Sequence, residues 1–232
     1  MSLPNDMIRL MRLIEFSDSA FPVGTFSFSN SLETASFEGI VYDKNTLHEF
    51  TQAQALQAAF SDGVAALHAF RAVQNNDYTA VTHIDRFLFN FKMNTEARLM
   101  NCRMGKKLGE LTVRLFPGTM IDKWLNDIKF QVTPGMYPIG QGLVFAIAGI
   151  GEKELFCSHQ YGVMNMVVSA ALRCVKVSHY DTQEILFSLS DEVEKLYQEV
   201  SSLSLEDMNA FYPQLDILAS LHEKGNMRMF MN

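Results

Sequence analysis

Apolar residues recur at intervals of three and four along most of the chain, the pattern of helices that bury one face. No segment shows the strict alternation of apolar and polar residues that is typical of a strand. The pattern therefore predicts an all-α fold, a single-domain bundle of about eight to ten helices. The predicted helices begin near residue 6 and cover residues 30–39, 46–73, 79–91, 95–116, 120–130, 139–149, 152–176, 181–200 and 216–224.

Polar residues and glycines mark where these helices begin and end. Asn30, with Glu33 three residues later, resembles a capping box, and Asn45 is the predicted cap of the next helix. Either Ser178 or Asp181 is expected to cap the 181–200 helix, and Ser204 followed by Asp207 predicts another start.

Three stretches interrupt the helical pattern. Asp62-Gly63 predicts a break or bend inside the 46–73 segment. Residues 17–25 and 134–138 contain proline and glycine and predict loops.

One predicted helix, residues 139–149, is apolar on every side. A helix of this kind is normally buried, so we expect it at the centre of the bundle with residues 152–176 packed beside it. The sequence contains no repeat and no long linker, and it predicts one domain over residues 1–232. Residues 1–6 and the tail 225–232 are expected to be loose.

Charge and cysteine content narrow the classes of function. Lys and Arg number 19 against 26 Asp and Glu, for a net charge of −7, which argues against broad binding to nucleic acid or to an anionic membrane. The basic residues of one predicted helix are an exception, because Arg98, Arg103, Lys106 and Lys107 lie close together. Three cysteines without a Cys-x-x-Cys pair, no visible secretory signal and no bilayer-length apolar run predict a cytoplasmic protein.

Catalytic and metal-binding patterns are missing from the sequence. The six histidines include no closely spaced pair that could hold a metal on one helix face, and neither a nucleophile elbow nor a phosphate-binding loop occurs. His179 and Asp181 suggest a hydrolase only weakly, since Asp181 is explained by a helix cap. The 14 methionines could suggest copper or nickel binding, but we expect them to fill an irregular core or an adaptable interface. We predict no catalytic, cofactor or metal-ligating residue, and therefore a binding or scaffolding protein.

The residues 13–33, LIEFSDSAFPVGTFSFSNSLE, resemble the N-terminal motif of the UreF family of urease accessory proteins. Further stretches agree with that family in order and spacing, and together they cover most of the chain. These stretches are Glu96-Ala97-Arg98, residues 165–186, Leu215-Asp216-Ile217, His222-Glu223, Arg228 and Phe230. The chain departs from the family pattern at Thr25, Phe28, Lys176, His179 and Leu221, and so resembles a divergent member.

The resemblance implies a chaperone of urease maturation without enzymatic activity. Proteins of this family form an all-α homodimer that bridges the GTPase UreG and the scaffold UreD, also called UreH, on apo-urease. They govern GTP-dependent nickel insertion and hold no tightly bound cofactor. A direct nickel-binding carrier is the alternative interpretation.

The resemblance also implies a set of partner-binding residues. Other roles stay open for some of them: Phe21 and Phe26 could anchor the loop to the core, and Arg173 could pair with an acidic residue of the same chain. Glu33 and Glu96 could serve helix N-termini, and Asp18 could cap the loop. The expected residues are Asp18, Phe21, Pro22, Gly24, Phe26, Glu33, Arg173, Gln183, His222, Glu223, Arg228 and Phe230.

Overall fold

A computed structural model describes residues 6–25, 28–223 and 229–230, and within these ranges it contains helices and no strands. The predicted all-α, single-domain fold is confirmed. The helices are α1 (Asp6–Ser17), α2 (Leu32–Phe37), α3 (Lys44–Ala58), α4 (Val64–Gln74), α5 (Tyr78–Phe91), α6 (Thr95–Thr112), α7 (Met120–Lys129), α8 (Tyr137–Ala148), α9 (Glu152–Cys174), α10 (His179–Ser190), α11 (Val193–Val200) and α12 (Pro213–Glu223).

Two of the predicted helices are divided in the structure. The break expected at Asp62-Gly63 is a π-helical turn, Ala59–Gly63, which joins α3 to α4 without ending the helical path. The single helix predicted over 181–200 is wrong, because α10 ends at Ser190 and α11 starts at Val193.

The predicted caps are confirmed in part. Ser178 and Asp181 form a capping box at the start of α10, and Ser204 with Asp207 forms another at a short 3₁₀ helix, Leu205–Asp207. The cap of α3 was expected at Asn45 and is Asp43 instead, whose carboxylate accepts the Thr46 N–H at 2.9 Å.

The capping box predicted at α2 is wrong. Asn30 and Ser31 adopt left-handed backbone conformations, with φ of 50° and 66°, and the N-terminal position is held by Ser31 without a side-chain cap. The Glu33 carboxylate instead accepts hydrogen bonds from the C-terminal part of the chain. Glu33 therefore has a long-range role that local spacing could not indicate.

The helix expected at the centre, α8, is buried along most of its length, as predicted. Its main neighbours are α4 and α6, with α9 packed less extensively than the sequence suggested. The approach to α4 is close because Gly142 has no side chain: a Cβ there would lie 2.7 Å from the Ala66 carbonyl oxygen. A larger residue at position 142 would force α4 and α8 apart.

A single buried carboxylate fixes the segment that leads into α8. Asp85, on α5, has no exposed surface, and its two oxygens accept four hydrogen bonds. The donors are Trp124 Nε1 at 3.1 Å, Thr133 Oγ1 at 2.8 Å, Gly135 N at 3.0 Å and Met136 N at 2.8 Å. Because these groups belong to α7 and to the segment before α8, Asp85 ties both to α5.

The buried apolar residues form two clusters. The larger surrounds α8 and includes residues of α4, α5, α6 and α7. The smaller is built by α2, α3, α10, α12 and the C-terminal half of α9, and it includes Phe230. The long helix α9 belongs to both clusters, since Leu155 and Phe156 pack in the first and Val167 and Val168 in the second.

The remaining predictions concern membrane-spanning helices and the two ends of the chain. No helix of the described part of the chain combines the length and apolar character that crossing a membrane requires. Most of the segments expected to be loose, 1–6 and 225–232, lie outside the described residues. Asp6 begins α1, and the side chain of Phe230 is buried.

Candidate partner-binding cleft

A cleft of about 630 Å³ runs between the loop after α1 and the C-terminal half of α9. Residues of α12 and of the π-helical turn, together with Phe230, also line it. Four residues that the family resemblance singled out line this cleft: Asp18, Phe21, Arg173 and Phe230. The fold thus brings together side chains from the two ends and the middle of the sequence.

The loop wall of the cleft is held by hydrogen bonds and by ring packing. Asp18 Oδ1 accepts the Ala20 N–H at 2.8 Å, and the Asp18 carbonyl accepts the Phe21 N–H at 3.0 Å. The ring of Phe21 meets the buried ring of Phe16 edge to face, with centroids 5.5 Å apart. Asp18 caps the turn and Phe21 anchors it, as the alternatives from the sequence allowed, while both still line the cleft.

Two other expected residues of this loop face solvent. Pro22 and Gly24 are exposed, and neither lines the cleft. Gly24 has φ of 91°, a backbone conformation that residues with a Cβ rarely adopt, so glycine is needed for the turn. Phe26, another expected partner-binding residue, lies outside the described residues.

The opposite wall carries a cation above an aromatic ring. The Arg173 guanidinium lies 5.1 Å from the centroid of the Phe230 ring, in the range of a cation–π interaction. Phe230 is 5% exposed, whereas Arg173 is exposed at the end of α9. Arg173 therefore covers the ring and presents its guanidinium toward the cleft.

His222 lies between two carboxylates beside this wall. Its side chain is 3% exposed; Nδ1 is 2.7 Å from Glu96 Oε2 and Nε2 is 3.2 Å from Glu33 Oε2. Glu33 also accepts the N–H groups of Met229 at 2.6 Å and Phe230 at 3.1 Å, so one carboxylate connects α2, α12 and the tail.

Glu223 holds the start of α6. Its Oε1 accepts the N–H groups of Thr95 at 2.9 Å and Glu96 at 3.1 Å, which are among the N–H groups that a helix start leaves without helical partners. Nearby, Asn94 accepts the Ala97 N–H and donates to Asp216 Oδ1. The His222 and Glu223 side chains, both expected to bind partners, are thus engaged within the chain.

Another expected residue, Gln183, is away from the cleft. Gln183 is exposed on α10, next to Tyr161 and Phe187, and does not line the cleft. Arg228 lies outside the described residues.

Sequence reasoning missed a second group of polar side chains in the cleft. The π-helical turn places Asp62 against Lys92, with which it forms an ion pair, and His159 Nδ1 lies 2.9 Å from Gln141 Oε1. Burial lowers the pKa of His159 to about 4, so the ring is neutral at pH 7. Among the described residues, His159 Nε2 and Asp62 Oδ1 have no hydrogen-bond partner.

No metal-binding cluster is present in the described part of the chain. A cation site requires several side-chain donors at one point, and no group of three or more His, Cys, Asp or Glu meets that requirement there. The alternative of a nickel-binding carrier therefore gains no support from these residues. His179 and Asp181, the residues of the hydrolase interpretation, lie at the start of α10, where Asp181 belongs to a capping box.

Sequence comparison provides the identity that the cleft alone does not. The UreF family model matches residues 41–190. Urease accessory protein UreF 2 of Brucella canis is 45% identical over 223 residues, covering 96% of this chain and 92% of that protein. Urease accessory protein UreF of Yersinia pseudotuberculosis is 41% identical over 223 residues, covering 96% of this chain and 98% of that protein. The chain belongs to the UreF family of urease accessory proteins, which serve urease maturation.

Proposed function

We propose that this protein is a urease-maturation chaperone that bridges UreD and the GTPase UreG on apo-urease and regulates GTP-dependent nickel insertion. The observation that carries the proposal is the convergence of Asp18, Phe21, Arg173 and Phe230 on one cleft. These residues are far apart in sequence, and the resemblance to the family singled them out before the fold brought them together.

The chemistry of the cleft suits binding better than catalysis. It presents aromatic rings and an exposed guanidinium, groups that are frequent in the centres of protein interfaces. The loop wall is already fixed by the Asp18 hydrogen bonds and by the contact between Phe16 and Phe21. A wall ordered before binding reduces the entropy that association costs. We propose that the chain acts through such contacts and that the complex, without a cofactor bound tightly by this chain, handles nickel.

We further propose that the protein acts as a homodimer. An aromatic surface on α9 and α10 supports this, because Tyr161, Tyr180 and Phe187 are 43%, 82% and 78% exposed. Large exposed aromatic side chains are costly to leave in water and are common at protein interfaces. Gln183, an expected partner-binding residue, lies on this surface.

The test is complex formation with purified UreD and UreG from the same organism, measured by size-exclusion chromatography with light scattering. A charge reversal in the cleft, Arg173→Glu, should weaken the complex with one or both partners by about 10-fold or more. Lys195→Glu is the matched control, since Lys195 is 80% exposed on α11 and the change in charge is the same.

Two results would contradict the proposal. If the unaltered protein forms no complex with either partner, the bridging function is wrong. If Arg173→Glu and Lys195→Glu form the complex equally well, the cleft is not the binding site. Circular dichroism of each variant checks that the helices are retained.

A further inference from the structure

The outer face of α6 carries several exposed basic residues that do not line the cleft. Arg103, Lys106 and Lys107 are exposed, and Arg114 follows in the turn after the helix. Arg103, Lys106 and Lys107 are spaced by three and four residues, which places them on one side of α6. At 1.5 Å per residue, the part of this side from Leu99 to Lys107 is roughly 12 Å long.

Arg98, the fourth basic residue of the original set, has a different environment. Its Nε donates to the Lys92 carbonyl at 2.8 Å, and its guanidinium lies 5.2 Å from the centroid of the Phe89 ring. Arg98 therefore packs against the end of α5, and it is not part of the outer basic surface.

Most cations of this surface lack a counter-charge. Within residues 6–25, 28–223 and 229–230, Arg103, Lys106 and Arg114 form no ion pair or side-chain hydrogen bond. Lys107 approaches Glu110 only to 3.7 Å, and both side chains are about half exposed. By contrast, Arg71 binds Glu152 with two hydrogen bonds of 2.7 Å. The repulsion among unpaired cations favours an external negative charge.

Apolar side chains flank the basic residues. Leu99 is 46% exposed one helical turn before Arg103, and Leu115 is 51% exposed next to Arg114. Cations between exposed leucines match a protein surface, where apolar contacts supply affinity and charges supply orientation. A nucleic acid would instead require a broader basic surface, and the chain as a whole carries a charge of −7.

We propose that the outer face of α6 docks an acidic surface of a protein partner, with Arg103 and Lys106 at its centre and Leu99 and Leu115 as apolar contacts. This docking surface is separate from the cleft and would allow the chain to hold two proteins at once. The choice of UreD and UreG as partners rests on the proposed bridging function. The acidic surface proposed for the partner follows from the basic residues of α6.

The experiment measures the affinity of the full chain for purified UreD and for purified UreG by biolayer interferometry. The test variant is Arg103→Glu with Lys106→Glu, and the control is Lys153→Glu with Lys195→Glu, whose lysines are 67% and 80% exposed. The two double variants change the net charge equally. Measurements at about 0.1 M and about 1 M NaCl compare Debye lengths of about 10 Å and about 3 Å.

The proposal expects the test variant to bind one of the two partners about 10-fold or more weakly, with a reduced dependence on salt, while the control binds normally. Equal binding by both variants overturns the α6 docking surface and leaves the bridging function standing. Failure of the unaltered chain to bind either protein overturns both.

Two other outcomes assign the surface differently. If the unaltered chain binds a 30-nucleotide DNA probe and the test variant does not, with protein affinities unchanged, the surface binds nucleic acid and the proposal is overturned. If light scattering shows that the test variant alone changes the oligomeric state, the occupant is a second copy of this chain, which also overturns it.

Discussion

Two buried polar clusters hold this protein together in different ways. Asp85 sits in the larger core and accepts four hydrogen bonds, all from groups that lie 39 to 51 residues away. His222 lies beside the cleft between Glu33 and Glu96, and its partners lie 126 and 189 residues away. The Asp85 cluster fixes the interior of the bundle, whereas the His222 cluster fastens the C-terminal helix to elements near the N-terminus and the middle.

Burial alone does not define the role of a polar group. Every hydrogen bond to Asp85 comes from an N–H or O–H group of α7 or of the segment before α8, so this cluster joins elements of the bundle interior. The His222 ring lies between carboxylates of α2 and α6, so it joins α12 to elements that are far away in the sequence. We therefore expect loss of Asp85 to destabilise the whole fold and loss of His222 to release α12 and the tail.

The largest effect is expected for Asp85→Ala. The change leaves two backbone N–H groups, the Trp124 N–H and the Thr133 hydroxyl without their acceptor in the core, and each buried unpaired group costs about 1–3 kcal/mol. Allowing for relaxation, the free energy of unfolding should fall by about 3–5 kcal/mol, measured by urea denaturation. Asp85→Asn, which retains one acceptor oxygen, should lose less. A loss below about 1 kcal/mol for Asp85→Ala would contradict a central role.

The second prediction concerns His159, a buried ring with a hydrogen-bond partner at only one of its two nitrogens among the described residues. His159 has a pKa lowered to about 4 in the folded protein, against 6.5 for an ordinary histidine. The unfolded chain therefore takes up this proton at a higher pH than the folded chain. The free energy of unfolding should fall as the pH is lowered from about 6.5 to about 4, by about 3 kcal/mol from this residue.

The measurement compares urea denaturation of the unaltered protein and of His159→Gln across that pH range. The variant should lose this part of the pH dependence. His83→Gln is the control, because His83 is exposed on α5 and should leave the dependence unchanged. Identical pH profiles for the unaltered protein and His159→Gln would show that the ring is not held neutral by burial.

A smaller and local effect is expected for His222→Gln. Glutamine cannot occupy both ring-nitrogen positions, so the contact with Glu33 or the contact with Glu96 is lost, at a cost of about 1–2 kcal/mol. Because His222 fastens α12, the change should raise hydrogen exchange in α12 and leave exchange in α8 unaltered. An equal rise in hydrogen exchange throughout the bundle would contradict a local role for His222.

The smallest effect is expected for Arg173→Met, which keeps a long apolar side chain and removes the charge over Phe230. An exposed cation–π contact is worth about 0.5–1 kcal/mol. Hydrogen exchange at the Phe230 amide should therefore rise only a few-fold. Arg173→Lys keeps the cation and serves as the control, and an unchanged rate in Arg173→Met would show that the ring holds its place without the cation.

Helical periodicity was enough to predict most of the fold. The all-apolar segment that became α8 was placed at the centre because nothing on its surface could face water, and the structure confirms this. Helix ends were predicted less well where two caps were possible: Asp43 and Asn45 both suit the position, and only the folded geometry favours Asp43. The loop after α1 was predicted from Pro22 and Gly24.

The candidate site was predicted in part. The family resemblance selected Asp18, Phe21, Arg173 and Phe230, which do line one cleft, but it gave no reason why they should meet. Glu33 resembled part of a capping box because of its spacing from Asn30. Its actual partner, His222, is 189 residues away and could not be recognised from local spacing.

Neither Asp62 nor His159 carried a signal of a place in the cleft, although Asp62-Gly63 did predict the break in the helix. A single Asp or His carries no pattern until the fold buries it. The polar side of the cleft therefore could not be predicted from the sequence.

The π-helical turn, Ala59–Gly63, sets the directions in which the buried faces of α3 and α4 point. Apolar residues of α3, such as Leu47 and Phe50, pack in the smaller core, while those of α4 pack in the larger one. A π turn contains one residue more than an α-helical path needs, and each residue of an α-helix rotates the following face by about 100°. Because the wide turn absorbs the extra residue, both helices keep the faces that their separate cores need, whereas the same residues wound as a continuous α-helix would rotate α4 by about 100° relative to α3 and remove one face from its core.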